Sequence, residues 1–161
     1  MEKASSANVG AAGEALVVAR LLSKGVEVAR PFSDNGVDLV AYTAGNFGRA
    51  VPIQVKTSSS PRIEMQRKWF QVPGIVLVYV WLINPVARCF VFDGLTDADA
   101  VLADSANTSS WQDQGRYVIS RPGDMHIERM QQFEEAWTKI TARLELSSSS
   151  VSRVQRPLSR V

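Results

Sequence analysis

The hydrophobic and polar positions of the chain change their period several times, and each change marks a predicted element. Small and apolar residues dominate from about residue 6 to residue 24, which predicts a helix that ends at the cap residue Gly25. Three short apolar stretches follow, separated by turn signals. They predict strands over residues 26–30, 37–43 and 49–57.

The second half of the chain alternates apolar strands with helices. Its longest apolar stretch is almost continuous, as expected for a strand that is covered on both faces. The predicted elements are a short polar element over 62–71, strands over 75–83, 88–92 and 117–119, a short helix over 96–103 and a final helix over 124–146.

Two local features of these helices carry further predictions. Thr96, with Asp99 three positions later, predicts the N-terminal cap of the short helix. In the final helix, Phe133, Trp137 and Ile140 fall on one helical stripe, which is the usual spacing for core packing. The same stripe is also compatible with a dimer interface.

Length and composition indicate a globular protein. The chain has 161 residues, about one domain, and its 45% hydrophobic residues are enough to bury a sizeable core. The order of helices and strands predicts a single α/β domain over residues 1–146, with a mixed central sheet flanked by helices. The serine- and arginine-containing segment over 147–161 is predicted to be a flexible tail.

Cysteine content and charge limit the function classes further. A single cysteine excludes an internal disulfide framework and a cysteine-built zinc site, and Cys89 itself is expected in the core. No signal peptide and no stretch long enough for a membrane helix is apparent, so we expect a soluble cytoplasmic protein without membrane contact. The net charge of +2 neither requires nor excludes a nucleic-acid partner.

Glu14 is the first candidate for chemistry. Its neighbours on one face of the first predicted helix are small or apolar, among them Gly10, Val17 and Leu21. A carboxylate in such surroundings is costly unless it is paired or bound to a metal. The pattern therefore leaves three interpretations open: a metal ligand, a glutamate buried against an arginine, and a glutamate at the helix edge that reaches water.

Asp38 is the second candidate. It begins an otherwise apolar strand directly after the turn signal Asn35-Gly36, and aspartate is depleted within strands. The start of a strand lies at the rim of a sheet, where sites are usually assembled. The alternative is an aspartate that caps the amides of the turn.

The most specific pattern is the segment Ile53, Gln54, Val55 and Lys56. Side chains alternate between the two faces of a strand, so Gln54 and Lys56 share one face and the two apolar residues share the other. This arrangement indicates a polar patch within a sheet. The alternative is an ordinary strand with one face exposed to solvent.

In combination, these segments resemble the PD-(D/E)XK nuclease superfamily, which includes restriction endonucleases, Holliday-junction resolvases and some homing endonucleases. The matching segments are residues 13–14 in the first helix, 36–40 in one strand and 54–57 in the next. The resemblance implies the restriction endonuclease-like α/β fold. Gln54 stands where the family usually has an acid, and Val37 stands where the proline of the family's name would be.

The resemblance also implies an activity, the hydrolysis of DNA phosphodiester bonds with Mg²⁺ or Mn²⁺. It implies that Glu14, Asp38, Gln54 and Lys56 are the catalytic residues. Asp38 would be the central metal ligand, and the Gln54 side chain, the Val55 carbonyl and Glu14 would complete the ligand set. Lys56 would orient the attacking water or stabilise the charge on the phosphate.

Basic and hydroxyl-bearing residues directly after this strand are candidates for contacts with nucleic acid. They are Ser58, Arg62, Arg67 and Lys68, and Glu64 is the single acid among them. Trp69 beside them is expected to pack against the sheet rather than to stack on a base.

The expected oligomeric state and partners rest on the resemblance and on the length of the chain. The resemblance implies a homodimer, because several nucleases of this superfamily cut two strands as dimers. The chain is too short for a separate DNA-reading domain, which is compatible with a protein partner that supplies specificity. The alternative function is a catalytically inactive domain of the same fold that binds nucleic acid or a protein partner, and Gln54 favours it.

Overall fold

The computed structural model describes residues 5–33, 35–83 and 86–145. The predicted tail over 147–161 lies outside these residues. The helices are α1 (Ser6–Leu22), α2 (Leu95–Leu102), α3 (Ser109–Gln112), α4 (Asp124–Gln131) and α5 (Thr138–Glu145). The strands are β1 (Glu27–Ala29), β2 (Leu39–Thr43), β3 (Asn46–Ser58), β4 (Ile63–Gln66), β5 (Val76–Trp81), β6 (Arg88–Phe92) and β7 (Arg116–Ile119).

A mixed five-stranded sheet forms the centre of the fold, in the order β1-β2-β3-β5-β6. β3 and β5 are parallel, and the other neighbours are antiparallel. The connection between β3 and β5 contains β4, which pairs with β7 in a separate two-stranded sheet. The predicted α/β architecture is confirmed.

Two apolar cores cover the two faces of the central sheet. α1 and α5 pack on one face, and β4, α2, α3 and α4 contribute to the core on the other. Because β5 is covered on both faces, all six of its residues are buried, which accounts for its continuous apolar sequence. Cys89 is buried as predicted. Within the described part of the chain, no helix is long and apolar enough to cross a membrane.

The predicted continuous helix over 124–146 is wrong, because the structure divides it into α4 and α5. The intervening segment pairs with the edge of β6. The N–H of Val91 donates to the carbonyl of Phe133 at 2.8 Å, and the N–H of Glu135 donates to the carbonyl of Cys89 at 2.9 Å. Glu135 also adopts a positive φ of 51°, which a helix does not allow.

The interruption also separates the three residues of the predicted helical stripe. Phe133 belongs to the core beneath α4, whereas Trp137 and Ile140 belong to the core beneath α1. The prediction of one stripe is therefore wrong. All three side chains are buried within the chain, so they do not form an exposed dimer interface.

Two other local predictions are corrected. α2 begins at Leu95, so its cap position is Gly94 rather than Thr96, without a side-chain cap. The carboxylate of Asp97 instead accepts a hydrogen bond from the N–H of Asp93 at 2.5 Å. The predicted polar element after β3 is the strand β4 followed by a 3-10 turn, because distant pairing with β7 determines its conformation.

Gly13 of α1 packs directly against Thr57 of β3. A Cβ at Gly13 would lie 1.9 Å from Thr57 Oγ1 and 2.9 Å from Thr57 Cβ. We expect Gly13→Ala to lower the free energy of unfolding by about 1–3 kcal/mol, since α1 must move off β3. Gly10→Ala, which meets nothing within 4 Å, should instead raise it by about 0.5–1 kcal/mol. Urea denaturation measures both effects, and equal changes would contradict this prediction.

An ion pair ties β6 to the segment between α4 and α5. Arg88 donates to both carboxylate oxygens of Glu134 at 2.6 Å. The hydrogen bond from Arg88 outweighs the opposing effect of burial and lowers the pKa of Glu134. The ionised pair therefore stabilises the fold above the pKa of the unfolded chain, and this stabilisation is lost as the pH falls through the lowered pKa.

Glu134→Gln tests the contribution of this pair. We expect the variant to be less stable than the wild type near neutral pH, because an amide cannot form the ion pair. We also expect it to lose less stability between about pH 7 and about pH 3, because the carboxylate that becomes protonated is absent. Urea denaturation at both pH values measures this, and a pH dependence identical to that of the wild type would refute it.

Candidate active site

The candidate residues lie where β2 and β3 separate. The pairing of the two strands ends at Leu39 and Ile53, and just before it the N–H of Asp38 donates to the carbonyl of Ile53 at 2.9 Å. β3 continues to Ser58 in pairing with β5 on its other side. One edge of β3 therefore opens toward the loop that precedes β2, and backbone groups of β3 become available there.

Asp38 is held at this opening by the backbone of β3. Its Oδ2 accepts a hydrogen bond from the N–H of Val55 at 2.6 Å. In an extended strand, the N–H and C=O of one residue point to the same edge. The Val55 carbonyl therefore lies on the same side of β3 as the Asp38 carboxylate.

Gln54 and Lys56 share the face of β3 that is opposite α1. Ile53 and Val55 belong to the core beneath α1, so the predicted alternation is confirmed. Gln54 is only 6% exposed. Among the described residues, it is the one polar or charged residue that is buried. Its face is therefore not the solvent-exposed face of an ordinary strand.

Gln54 and Lys56 line a cavity of about 320 Å³, which we call the lysine cavity. Trp69 and Lys68 also line it. Lys56 Nζ lies 5.6 Å from the centroid of the Trp69 ring, and Trp69 is 8% exposed. The expected packing of Trp69 is confirmed, and its fixed ring stabilises the ammonium group through a cation–π contact.

Glu14 lies in a neighbouring cavity of about 270 Å³ together with Asp38 and Arg30, which we call the carboxylate cavity. Arg30 Nη1 donates to Glu14 Oε2 at 2.6 Å, so the pairing with an arginine that the sequence left open is present. The side chains of Glu14 and Arg30 are 25% and 60% exposed, so a cation from solvent can compete for this carboxylate. Arg30 was not predicted, because its partner is 16 positions away.

The four predicted catalytic residues thus form two adjoining pairs. Glu14 and Asp38 share the carboxylate cavity, and Gln54 and Lys56 share the lysine cavity. The loop that precedes β2 contributes to both. Gly36 in this loop has a positive φ of 77°, and a Cβ there would lie 4.0 Å from Gln54 Nε2. The turn at Gly36 therefore brings the loop close to Gln54.

The oxygen donors at the opening suit a hard divalent cation. The Asp38 carboxylate and the Val55 carbonyl lie on one side of β3, and the Glu14 carboxylate lines the same cavity as Asp38. The described residues contain no group of three or more His, Cys, Asp or Glu side chains that could hold a metal. Gln54, which lines the lysine cavity, adds an amide and no carboxylate. A cation here would rely on two carboxylates and neutral oxygens.

The residues predicted to contact nucleic acid do not form one group. Ser58 and Arg62 line a separate cavity at the end of β3. The guanidinium of Arg67 packs 5.2 Å from the centroid of the Trp111 ring and lines neither the lysine cavity nor the carboxylate cavity. Lys68 is the member of the set that lines the lysine cavity.

The mixed five-stranded sheet flanked by helices is consistent with the restriction endonuclease-like fold. The structure is similar to that of the bacterial homing endonuclease I-Ssp6803I, with a TM-score of 0.56 and 16% sequence identity over 90% of this chain and 98% of that chain. This likeness confirms the predicted fold. The chain is also similar to the Holliday junction resolvase Hjc of Archaeoglobus fulgidus, with 16% identity over 52% of this chain and 71% of that chain. The TM-score of this match is 0.38, which is too low to establish a shared fold.

A family model matches the N-terminal part of the chain. Residues 4–73 match the family model described as PD-(D/E)XK endonuclease. This range contains all four predicted catalytic residues, and the predicted resemblance to the PD-(D/E)XK nuclease superfamily is confirmed. No curated protein matches the chain.

Proposed function

We propose that the chain hydrolyses phosphodiester bonds of DNA and uses Mg²⁺ or Mn²⁺ to do so. One observation carries this proposal: an acid and a lysine are held by adjacent positions of the same strand. Asp38 is hydrogen-bonded to the backbone of Val55, and Lys56 follows Val55 directly on the buried polar face. The PD-(D/E)XK endonuclease match over the same residues supports it.

Each group at the opening would have a separate role in the reaction. Asp38 and the Val55 carbonyl would hold the cation, and Glu14 would be a further ligand in exchange for its ion pair with Arg30. Bound there, a divalent cation would polarise a phosphoryl oxygen and lower the pKa of the attacking water. Lys56 would stabilise the negative charge that develops on the phosphate, since its ammonium group is held over Trp69 before the substrate binds.

The proposal is tested by cleavage of labelled linear, branched and single-stranded DNA in the presence of Mg²⁺ or Mn²⁺. Cutting that requires the cation would support it, and the DNA that is cut would define the substrate class. If the folded protein cuts none of these substrates with either cation, the proposal is wrong.

A second candidate function is a domain of this fold that binds nucleic acid or a protein partner without hydrolysis. Two observations favour it. Gln54 contributes no negative charge to the opening, and Glu14 is engaged by Arg30. Calorimetry with Mn²⁺ separates the two functions: stoichiometric binding that Asp38→Ala abolishes favours hydrolysis, and a protein that binds DNA but ignores both cations favours the second candidate.

A further inference from the structure

Three charged side chains form a cluster on the outer face of the β4–β7 sheet. The carboxylate of Glu64 accepts hydrogen bonds from two arginines, Arg62 at Oε2 and Arg116 at Oε1. The contacts from Arg116 are 3.1 Å for Nε and 3.0 Å for Nη2, and Gln66 donates to the same oxygen at 2.6 Å. Two guanidinium groups share one carboxylate, so the cluster has a net positive charge.

Both arginines of the cluster remain accessible. The side chains of Arg62 and Arg116 are 38% and 56% exposed, whereas that of Glu64 is 16% exposed. Burial opposes the ionisation of Glu64, but the hydrogen bond from Gln66 and the two arginine charges outweigh it and lower the pKa of Glu64. Glu64 therefore orients the arginines at neutral pH, while each guanidinium keeps N–H donors that Glu64 does not use.

The cluster separates two surface cavities that are rich in hydrogen-bond donors. One cavity, of about 440 Å³, lies at the end of β3 and is lined by Ser58, Ser59, Ser60 and Arg62. The other, of about 390 Å³, is lined by both arginines together with residues of α3 and β7 and the segment between them. Among the described residues, no aspartate or glutamate lines either cavity. Hydroxyl and guanidinium donors are the groups that bind phosphate, and Glu64, which holds both arginines, lines neither cavity.

This surface begins next to the candidate active site. Ser58 follows Lys56 by two residues on β3, a distance of roughly 7 Å in an extended strand. Successive nucleotides of a DNA strand advance by about 3.4 Å along the helix axis. A backbone that passes Lys56 therefore reaches the serines and the cluster within a few nucleotides.

We propose that the Arg62–Glu64–Arg116 cluster and the serines at 58–60 bind the sugar–phosphate backbone of the DNA beside the scissile bond. The proposal rests on the proposed function, because it takes the DNA that reaches Lys56 as the ligand. The carbonyl of Arg62 accepts a hydrogen bond from Trp81 Nε1 at 2.7 Å, which fixes the position of this arginine relative to the sheet.

Arg116→Ala in the Lys56→Ala protein tests this surface without cleavage. The affinity for fluorescent duplex DNA is measured between about 50 and 200 mM salt. We expect affinity to fall roughly tenfold, as for the loss of one charged hydrogen bond. The dependence of log K on log salt should lose about one unit of slope. The control is Arg121→Ala, which removes an exposed arginine outside both cavities and should change affinity by less than about twofold.

Kinetics in the protein with Lys56 intact give a second measurement. Arg116→Ala should raise KM for DNA and leave kcat unchanged, because the contact is remote from the reacting phosphate. Arg116→Lys retains the charge and should recover part of the affinity. It also shows whether the loss in the alanine variant comes from the missing contact or from a folding defect.

The outcomes separate this inference from the proposed function. Equal losses for Arg116→Ala and Arg121→Ala would overturn it, because total charge rather than this surface would then govern binding. A normal salt slope and a normal KM in Arg116→Ala would also overturn it, with DNA cleavage itself intact. If the parent protein neither binds nor cuts DNA, the proposed function fails and this inference fails with it.

Discussion

Lys56→Ala should slow cation-dependent DNA cleavage by at least about a hundredfold while the protein stays folded. The Lys56 ammonium lies over Trp69 at the lysine cavity, so it is held in place before the substrate arrives. Removing one such preorganised charge typically lowers kcat by about 10²–10³-fold. The fold should persist, because the Lys56 side chain is partly exposed and makes no ion pair among the described residues. Single-turnover cleavage of the substrate identified above measures the effect.

The matched control for this prediction is Lys24→Ala. Lys24 is an exposed lysine in the turn after α1 and lines neither the lysine cavity nor the carboxylate cavity. We expect its cleavage rate to equal that of the wild type. If Lys56→Ala cuts DNA as fast as the control, Lys56 has no role in the chemical step, and the active site must be sought elsewhere.

Asp38→Asn should remove both cation binding and cleavage. The asparagine oxygen can still accept the hydrogen bond from the N–H of Val55, so the opening between β2 and β3 should keep its shape. The negative charge is lost, and with it the main attraction for a divalent cation. We expect cleavage to fall by at least about a hundredfold, because the stabilisation that a bound cation provides is worth several kcal/mol.

Calorimetric titration with Mn²⁺ measures the binding directly, in parallel with the cleavage assay. Asp113→Asn is the control, because Asp113 is exposed after α3 and lines neither the lysine cavity nor the carboxylate cavity. It should bind Mn²⁺ as the wild type does. If Asp38→Asn binds Mn²⁺ with wild-type affinity, Asp38 is not the central ligand.

The sequence by itself determined the features that depend on neighbouring residues. The period-two alternation around Gln54 places it on one face with Lys56, and the structure has both at the lysine cavity. The continuous apolar run of β5 predicts a strand covered on both faces, and all its residues are buried. These predictions hold because the geometry of a strand alone relates residue order to side-chain direction.

The failures of prediction concern contacts between distant segments. The local periodicity predicts one continuous helix over 124–146, because it carries no information about the edge of β6. In the structure, this edge binds the segment around Phe133 and ends α4. Similarly, the sequence predicts only a polar element at β4, because its partner β7 lies far along the chain.

The composition of the candidate site was likewise decided by the tertiary structure. The sequence indicates that Glu14 needs a partner, since a carboxylate among apolar neighbours is costly. Only the docking of α1 beside the end of β1 shows that Arg30 takes this role, and only the pairing of β4 with β7 brings Arg116 to Glu64. Residue types and local spacing define which groups can do chemistry, whereas long-range packing decides which of them meet.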